Sequence, residues 1–260
     1  MFSTPVGYRL IASDISAALD RTAAKPEVTR ESEYYLSKIG DFDSIEQFMA
    51  DDRIYQFAMR AHGLDDMIYA KAFMRKVLSE GIDATGSFAN SLADARFRDF
   101  AETFNFARYG STATTFTRTQ RGTVDNYVRQ ALEVEQGDDN EGIRLALYFE
   151  RKAPAISSAY SLLADRALLK VTQVALGMAE STGALDIDRQ AELIADKLDL
   201  ADLKDPEKLD KLLTRFTALW EIDNPSSVTA QSSTDLLFGG IGGGFDADLL
   251  TSIQNYKAGR

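Results

Sequence analysis

Pairs of residues recur along this 260-residue chain at one fixed spacing. Ala50-Asp51 is matched by Ala164-Asp165 (165 − 51 = 114). Ala61-His62-Gly63-Leu64 is matched by Ala175-Leu176-Gly177-Met178 at the same offset. Between these landmarks Ile54, Tyr55 and Phe57 correspond to Leu168, Leu169 and Val171. Upstream, Tyr34, Tyr35 and Lys38 correspond to Tyr148, Phe149 and Lys152. Further on the offset drifts, with Phe73-Met74 meeting Leu193-Ile194, and Phe100 and Phe104 meeting Phe216 and Trp220. Any two helical segments share apolar spacing, but that alone does not align a helix-ending glycine and an Ala-Asp pair. The pattern predicts a duplicated helical unit, the two copies burying apolar faces on one another in one pseudo-symmetric domain.

The stretch Ser44 to Phe106 shows the unit best. Ser44 is a helix N-cap with Gln47 three residues on, a capping-box pattern. Ile45, Phe48, Met49, Tyr55 and Met59, with Ile54 and Phe57 between them, give a wide apolar face, and Gly63 closes the helix. A second helix follows with Phe73, Val77 and Leu78 inward and stops at Gly81. Phe88 and Leu92 mark a short helix, and Asp94 opens one with Phe97, Phe100, Ala101 and Phe104 inward. Ahead of the unit, residues 1 to 8 read as loose, with Pro5 and Gly7 near the terminus. From Leu10 the residues Ile11, Ile15, Ala18 and Leu19 share a stripe up to Lys25-Pro26, and another helix covers Thr29 to Lys38.

Residues 107 to 122 are rich in Thr, Gly and Arg and read as a linker or long surface loop. Val124 to Val134 is a helix, followed by a turn at Gly137 to Asn140. The second unit then comprises helices over Glu141 to Lys152 and Ile156 to Met178, one capped by Asp186, and one opened by Asp205-Pro206 with Leu209, Leu212, Leu213, Phe216 and Trp220 inward. After Ser226 the chain turns to Ser, Thr and Gly up to FGGIGGGF at 238 to 245, the composition of a flexible hinge. Asp246 caps a final amphipathic segment with Leu249, Leu250, Ile253 and Tyr256. No stretch alternates at period two, so no sheet is expected.

Composition narrows the functional classes. A net charge of −11 opposes nucleic-acid binding, which needs Lys and Arg against phosphates, and opposes anionic membrane surfaces. With no cysteine and one histidine, His62, thiolate metal sites and Cys nucleophiles are excluded and a His-based triad is disfavoured. The start of the chain lacks the charged and apolar regions of a secretory signal, and no apolar run is long enough to span a bilayer.

The residues that bear chemistry read as structural. Asp51-Asp52 and Asp65-Asp66 suit helix caps and dipole partners more than a catalytic carboxylate pair. Asp138-Asp139-Asn140-Glu141-Gly142 lacks the ligand spacing of a calcium loop. Gly239 to Gly244 breaks the phosphate-loop pattern and follows no strand. His62, just before a helix-ending glycine, suits a histidine that favours the helix dipole. Arg75-Lys76 is a solvated face, and Phe97, Phe100, Phe104 and Phe106 are core. No catalytic, cofactor or metal residue is assigned, and no cofactor is expected. The two chain ends, each an amphipathic segment, either pack on the body or dock on a partner, with Ile11, Ile15, Leu249, Leu250, Ile253 and Tyr256 as the candidate partner-binding residues.

Ala50-Asp51-Asp52-Arg53, Gly63-Leu64, Phe73-Met74-Arg75-Lys76-Val77-Leu78, Gly81, Phe88-Ala89-Asn90, Asp94, Arg96 and Phe104, together with the tail DLLTSIQNYKAGR, resemble the alphaproteobacterial family called domain of unknown function 1217. The likeness spans nearly the whole chain. Genes of that family lie in flagellar clusters and members are often labelled flagellar or basal-body rod proteins. The resemblance therefore implies a non-enzymatic, flagellum-associated role through other proteins, in assembly, export or motility. A cytoplasmic chaperone-like or regulatory binder, holding an export substrate between the two units, is the alternative, and a carboxylate-dependent enzyme a remote one. Either location, cytoplasm or export to the flagellum without a cleaved signal, fits. The expected fold is an all-α bundle of two tandem pseudo-symmetric repeats with flexible termini. Its parts are an N-terminal amphipathic segment over 1–28, repeat 1 over 29–106, a linker and connecting helix over 107–140, repeat 2 over 141–224, and a hinge with the C-terminal segment over 225–260.

Overall fold

Asp51 and Asp165 each end one helix and begin the next. The Asp51 carboxylate accepts hydrogen bonds from Arg53 N and Ile54 N, and that of Asp165 from Ala167 N and Leu168 N. Both residues sit in extended backbone, because an aspartate side chain offers these donors a partner outside the helix. The single helices expected over 45–63 and 156–178 are therefore each a pair. The structure, a computed structural model, describes residues 2–225. Its helices in chain order are α1 Thr4–Ala12, α2 Ile15–Ala23, α3 Pro26–Lys38, α4 Ile45–Ala50, α5 Asp52–Ala61, α6 Lys71–Glu80, α7 Phe88–Ser91, α8 Ala95–Thr103, α9 Phe106–Tyr109, α10 Arg121–Asp139, α11 Glu141–Lys152, α12 Ala159–Ala164, α13 Arg166–Ala175, α14 Ile187–Ala195 and α15 Pro206–Asp223. Among the described residues there is no strand. The fold is all-α. The hinge and the segment carrying Leu249, Leu250, Ile253 and Tyr256 lie outside the described residues.

The 114-residue spacing extends to backbone detail. The bounds of α4 and α5 recur in α12 and α13, and the turn Ile39–Asp41 recurs as Ala153–Ala155. Ser44 and Ser158 cap α4 and α12, taking hydrogen bonds from Gln47 N and Ser161 N. Gly63 and Gly177 close α5 and α13 with φ of 68° and 61°. Behind them Leu64 N donates to Met59 O and Met178 N to Gln173 O, each at 2.9 Å. That is a Schellman closure, for which glycine is the unstrained residue. After Met178 the correspondence loosens: α6 begins at Lys71 and α14 at Ile187.

Buried apolar side chains form two clusters. The first runs from Val28 to Val128 and centres on Tyr35, Phe48, Tyr55, Phe100 and Phe104. The second joins Tyr8, Ile11 and Ala18 to residues from Leu132 to Phe216. Helix α10 serves both, through Val124 and Val128 at one end and Leu132 at the other, and Leu19 of α2 packs on each. This corrects the expectation that the copies press apolar faces together. Each stretch fills its own core, and a charged seam lies between them.

Four local expectations are overturned. Residues 107–122 are built into the first core, with Ala113, Thr114 and Thr119 fully buried. The threonines that erase the periodicity satisfy the backbone of the turns: Thr112 Oγ1 donates to Tyr109 O, Thr114 Oγ1 to Phe42 O and Thr119 Oγ1 to Phe116 O, at 2.8, 3.0 and 2.8 Å. Tyr35 OH locks the segment by donating to Thr119 O at 2.6 Å. The turn expected at 137–140 shrinks to Asn140. Here α10 continues to Asp139, and Asn140 caps α11 by accepting from Gly142 N and Ile143 N. Residues 4–8 are helical, with Pro5 in the first turn and Thr4 and Tyr8 buried. Gly7 is a close approach, since a Cβ there would collide with Ile143 Cδ1. Finally, the stripe from Leu10 to Leu19 breaks at Asp14, which caps α2.

Candidate functional site

The seam between the two cores carries buried charge. At its centre Glu133 of α10 is 1% exposed. Arg151 of α11 grips it with Nε on Oε1 and Nη2 on Oε2, both at 2.7 Å. Arg129, one turn before Glu133, adds Nε to Oε1 at 3.2 Å and sends Nη2 to Leu147 O at 3.0 Å. Arg151 also reaches Gln130 Oε1 at 3.2 Å. Burial by itself would lower the Arg151 pKa, but the Glu133 hydrogen bond and charge outweigh it and raise it. A carboxylate holding two guanidiniums in this way ties α10 to α11 by side chains as well as by packing.

Around this centre the seam continues. Lys152 Nζ of α11 pairs with Asp99 of α8 at 3.2 Å. Arg96 of α8 forks onto Asp94, with Nη2 to Oδ2 at 2.7 Å, approaches Asp66 at 3.5 Å and hydrogen-bonds Gly63 O. Tyr148 OH donates to Asp165 Oδ2 at 2.6 Å. Burial first, then the Asp165 carboxylate, pushes the Tyr148 hydroxyl well above its ordinary range.

Two adjoining hollows, of about 360 and 210 Å³, open along this line and share Asp94, Arg96, Ala164 and Asp165. The first takes in Gly63, Gln130, Glu133 and Tyr148, the second Asn90, Asp99, Lys152 and Ser161. Asp94 and Asp165 are N-caps of α8 and α13 and are already engaged by Arg96 and Tyr148. The carboxylates of the lining are thus engaged, while Arg98 and Arg166 also line the hollows. Among the described residues, no group of three or more His, Asp or Glu is placed to hold a metal, and no helix is long and apolar enough to cross a membrane.

His62 lies behind the seam, its ring edge-on to Phe100 and Phe104 with centroids at 5.3 and 5.9 Å. Its Nε2 is buried without a hydrogen-bond partner. Desolvation, then the charges of Lys152 and Arg151, lower its pKa to about 3. The expectation of a cationic histidine stabilising a helix C-terminus is therefore overturned, because two fixed cations and an apolar wall disfavour the charge.

The acidic pairs are spent locally. Asp51 caps α5, Asp52 pairs with Lys71, Asp65 lies 3.6 Å from Arg60, and Asp66 faces Arg96. The candidate residues of the N-terminal segment point inward. Ile11 is buried and Ile15 half-buried, both packed in the second core. Val6 and Leu10 of α1, and Phe2 just before it, are the apolar side chains turned to solvent here, 53%, 59% and 60% exposed. Their i, i+4, i+8 spacing was legible in the sequence, but Gly7 and Pro5 masked it by marking the segment as loose.

Comparison with known proteins places the chain in context. A family model described as a protein of unknown function, DUF1217, matches residues 61–209. The X-ray crystal structure of a protein from Agrobacterium tumefaciens is similar at 50% identity, covering 85% of this chain and 94% of that one, with a TM-score of 0.80. No curated protein matches.

Proposed function

Since the chain belongs to the DUF1217 family of proteins of unknown function, we propose that it is a non-enzymatic interaction protein of the flagellar apparatus, acting in assembly, export or motility. The observation that carries the non-enzymatic part is the state of the inter-core seam. Its carboxylates are engaged as caps or in ion pairs, and its one nearby histidine is held neutral behind two cations. Such a lining resembles an internal fastening more than a place where a substrate is turned over. The flagellar part rests on the family resemblance. The recurrence of caps and helix ends at one spacing supports reading the two stretches as copies of one helical unit.

Partner contact falls on the side where the start of α1 meets the end of α15. Thr4 donates from both N and Oγ1 to Glu221 Oε2, at 2.7 and 2.6 Å, and this seats the start of α1 on the end of α15. Deleting the gene should impair swimming while the filament and its export apparatus are otherwise intact; unimpaired swimming refutes the flagellar reading. Fractionation then separates the two forms of the proposal. Protein recovered in basal bodies or culture supernatant excludes the purely cytoplasmic, chaperone-like alternative.

A further inference from the structure

We propose that the hollow between α1, the end of α11 and the start of α15 binds a primary amine, its ammonium held by Tyr8, Glu150 and Asp210 and its alkyl body by Leu203 and Leu209. The hollow measures about 430 Å³, within the roughly 300–1,000 Å³ of small-molecule sites. Ala12, Pro154, Leu203, Pro206 and Leu209 make its apolar wall. It shares no lining residue with the two hollows of the seam.

The polar groups that face this hollow are short of partners. Tyr8 is 2% exposed, yet its hydroxyl makes no hydrogen bond among the described residues. Glu150 Oε2 is buried and also without a hydrogen bond. Arg129 Nη2 stands 3.7 Å from it, but the Arg129 guanidinium spends its hydrogen bonds on Glu133 and Leu147 O. The rest of the Glu150 side chain is 32% exposed, so a ligand can reach it. Asp210 is exposed and has no ion pair among the described residues. The three groups lie close together. Burial first, then the Glu150 and Asp210 charges, raise the Tyr8 phenol above its ordinary range. Burial also raises the Glu150 carboxyl, opposed by Arg129 and helped by Asp210 and Glu133. Negative charge is thus under-compensated at the polar end of an apolar hollow.

A cation with an apolar body completes this arrangement. A primary ammonium carries three donors and no acceptor, one donor each for Glu150 Oε2, the Tyr8 oxygen and Asp210. Arg9 and Lys204 also line the hollow, but both are exposed to water. An anion drawn to them would face two carboxylates and leave Glu150 Oε2 without a donor. A metal ion is a poor fit, because among the described residues no three His, Asp or Glu converge. The amine is a free alkylamine or the lysine side chain of a protein partner, which offer the same chemistry. This inference does not depend on the flagellar reading.

Amide chemical shifts of the isotope-labelled, full-length protein read the binding directly. Titrated with n-butylammonium chloride at neutral pH and fixed ionic strength, the amides of Tyr8, Leu203 and Leu209 should shift together and saturate. Nα-acetyl-lysine amide provides the second arm. Saturation by n-butylammonium alone assigns the site to a free amine; saturation by the lysine amide assigns it to a protein side chain. Saturation by neither overturns the proposal. So do equal shifts with sodium n-butyrate, the same chain with the opposite charge, or with calcium chloride. Glu150→Gln should weaken amine binding about tenfold and Asp210→Asn about threefold, the losses of a buried charged hydrogen bond and of an exposed pair. Circular dichroism confirms that each variant is folded, and Asp210→Asn, at an exposed position, decides if Glu150→Gln is not. Unchanged affinity in a folded variant overturns the proposal.

Discussion

Replacing Glu133 by Gln should be among the most damaging changes of similar size in this chain. The carboxylate accepts three hydrogen bonds from two guanidiniums at 2.7 to 3.2 Å and is almost sealed from water. Glutamine supplies one acceptor oxygen and turns an NH₂ group toward donors, leaving Arg129 with Glu150 alone, at 3.7 Å, and Arg151 without its carboxylate, in a partly buried site. Their side chains are 14% and 22% exposed, so water relieves some of that cost. Removing one partner of a buried ion pair typically costs about 3–5 kcal/mol. With Arg151 orphaned and partly hydrated and Arg129 still facing Glu150, we expect the lower end of that range, about 3 kcal/mol, or a fall in Tm of roughly 6–12 °C for a chain of this size. Urea unfolding followed by circular dichroism measures it. A double-mutant cycle with Arg151→Met isolates the pair, with an expected coupling above about 1 kcal/mol. The triple replacement Glu133→Leu, Arg129→Met, Arg151→Met should recover much of the loss, because apolar groups of similar volume avoid the desolvation cost altogether. A loss below about 1 kcal/mol for Glu133→Gln, or additivity in the cycle, refutes the seam as a fastening.

Three further outcomes test other parts of the structure. Unfolding releases His62 to its ordinary pKa, near 6.5, while the folded protein holds it near 3. The unfolded chain therefore binds the extra proton between these values, and stability present above pH 6.5 is lost as pH falls, by up to about 1.4 kcal/mol per pH unit. His62→Leu should flatten urea midpoints between pH 6.5 and 5; an unchanged acid slope sinks this assignment. Gly142→Ala should destabilise by about 1–3 kcal/mol despite the gain in helix propensity, because a Cβ there collides with the Trp220 ring and comes within 2.7 Å of Thr4 Cγ2. A neutral or stabilising result means α1, α11 and α15 do not meet so closely. Gly177→Ala should cost about 1 kcal/mol, since φ is 61° and the nearest atom, Arg215 Nη2, is 3.9 Å away, so backbone strain alone is measured. Gly86→Ala, in open space with ordinary φ, should be neutral by comparison; equal effects at the two glycines refute the strain argument.

The spacing of Asp51 and Asp165, of Ser44 and Ser158, and of Gly63 and Gly177 was legible because caps and helix stops are local. An aspartate that captures two backbone donors, or a glycine that turns a helix end, acts within three or four residues and leaves its mark in the sequence. The same locality misled at Gly7, Gly137 and the threonines of 107–122. Each is a helix breaker by propensity, and each is overruled by a distant partner: Ile143 against Gly7, Arg144 folded over Gly137, Phe42 and Tyr35 on the threonine run.

The sequence by itself determined the all-α class, the caps and glycine stops at Ser44, Gly63, Asp94 and Asp205, and the 114-residue rhythm, because these depend on neighbours along the backbone. It did not determine which side of α1 faces inward, nor that the two halves would fill separate cores and join through Glu133, Arg129 and Arg151. Those were decided by contacts between residues far apart in the chain, where shape and buried charge choose among faces that local periodicity leaves equivalent.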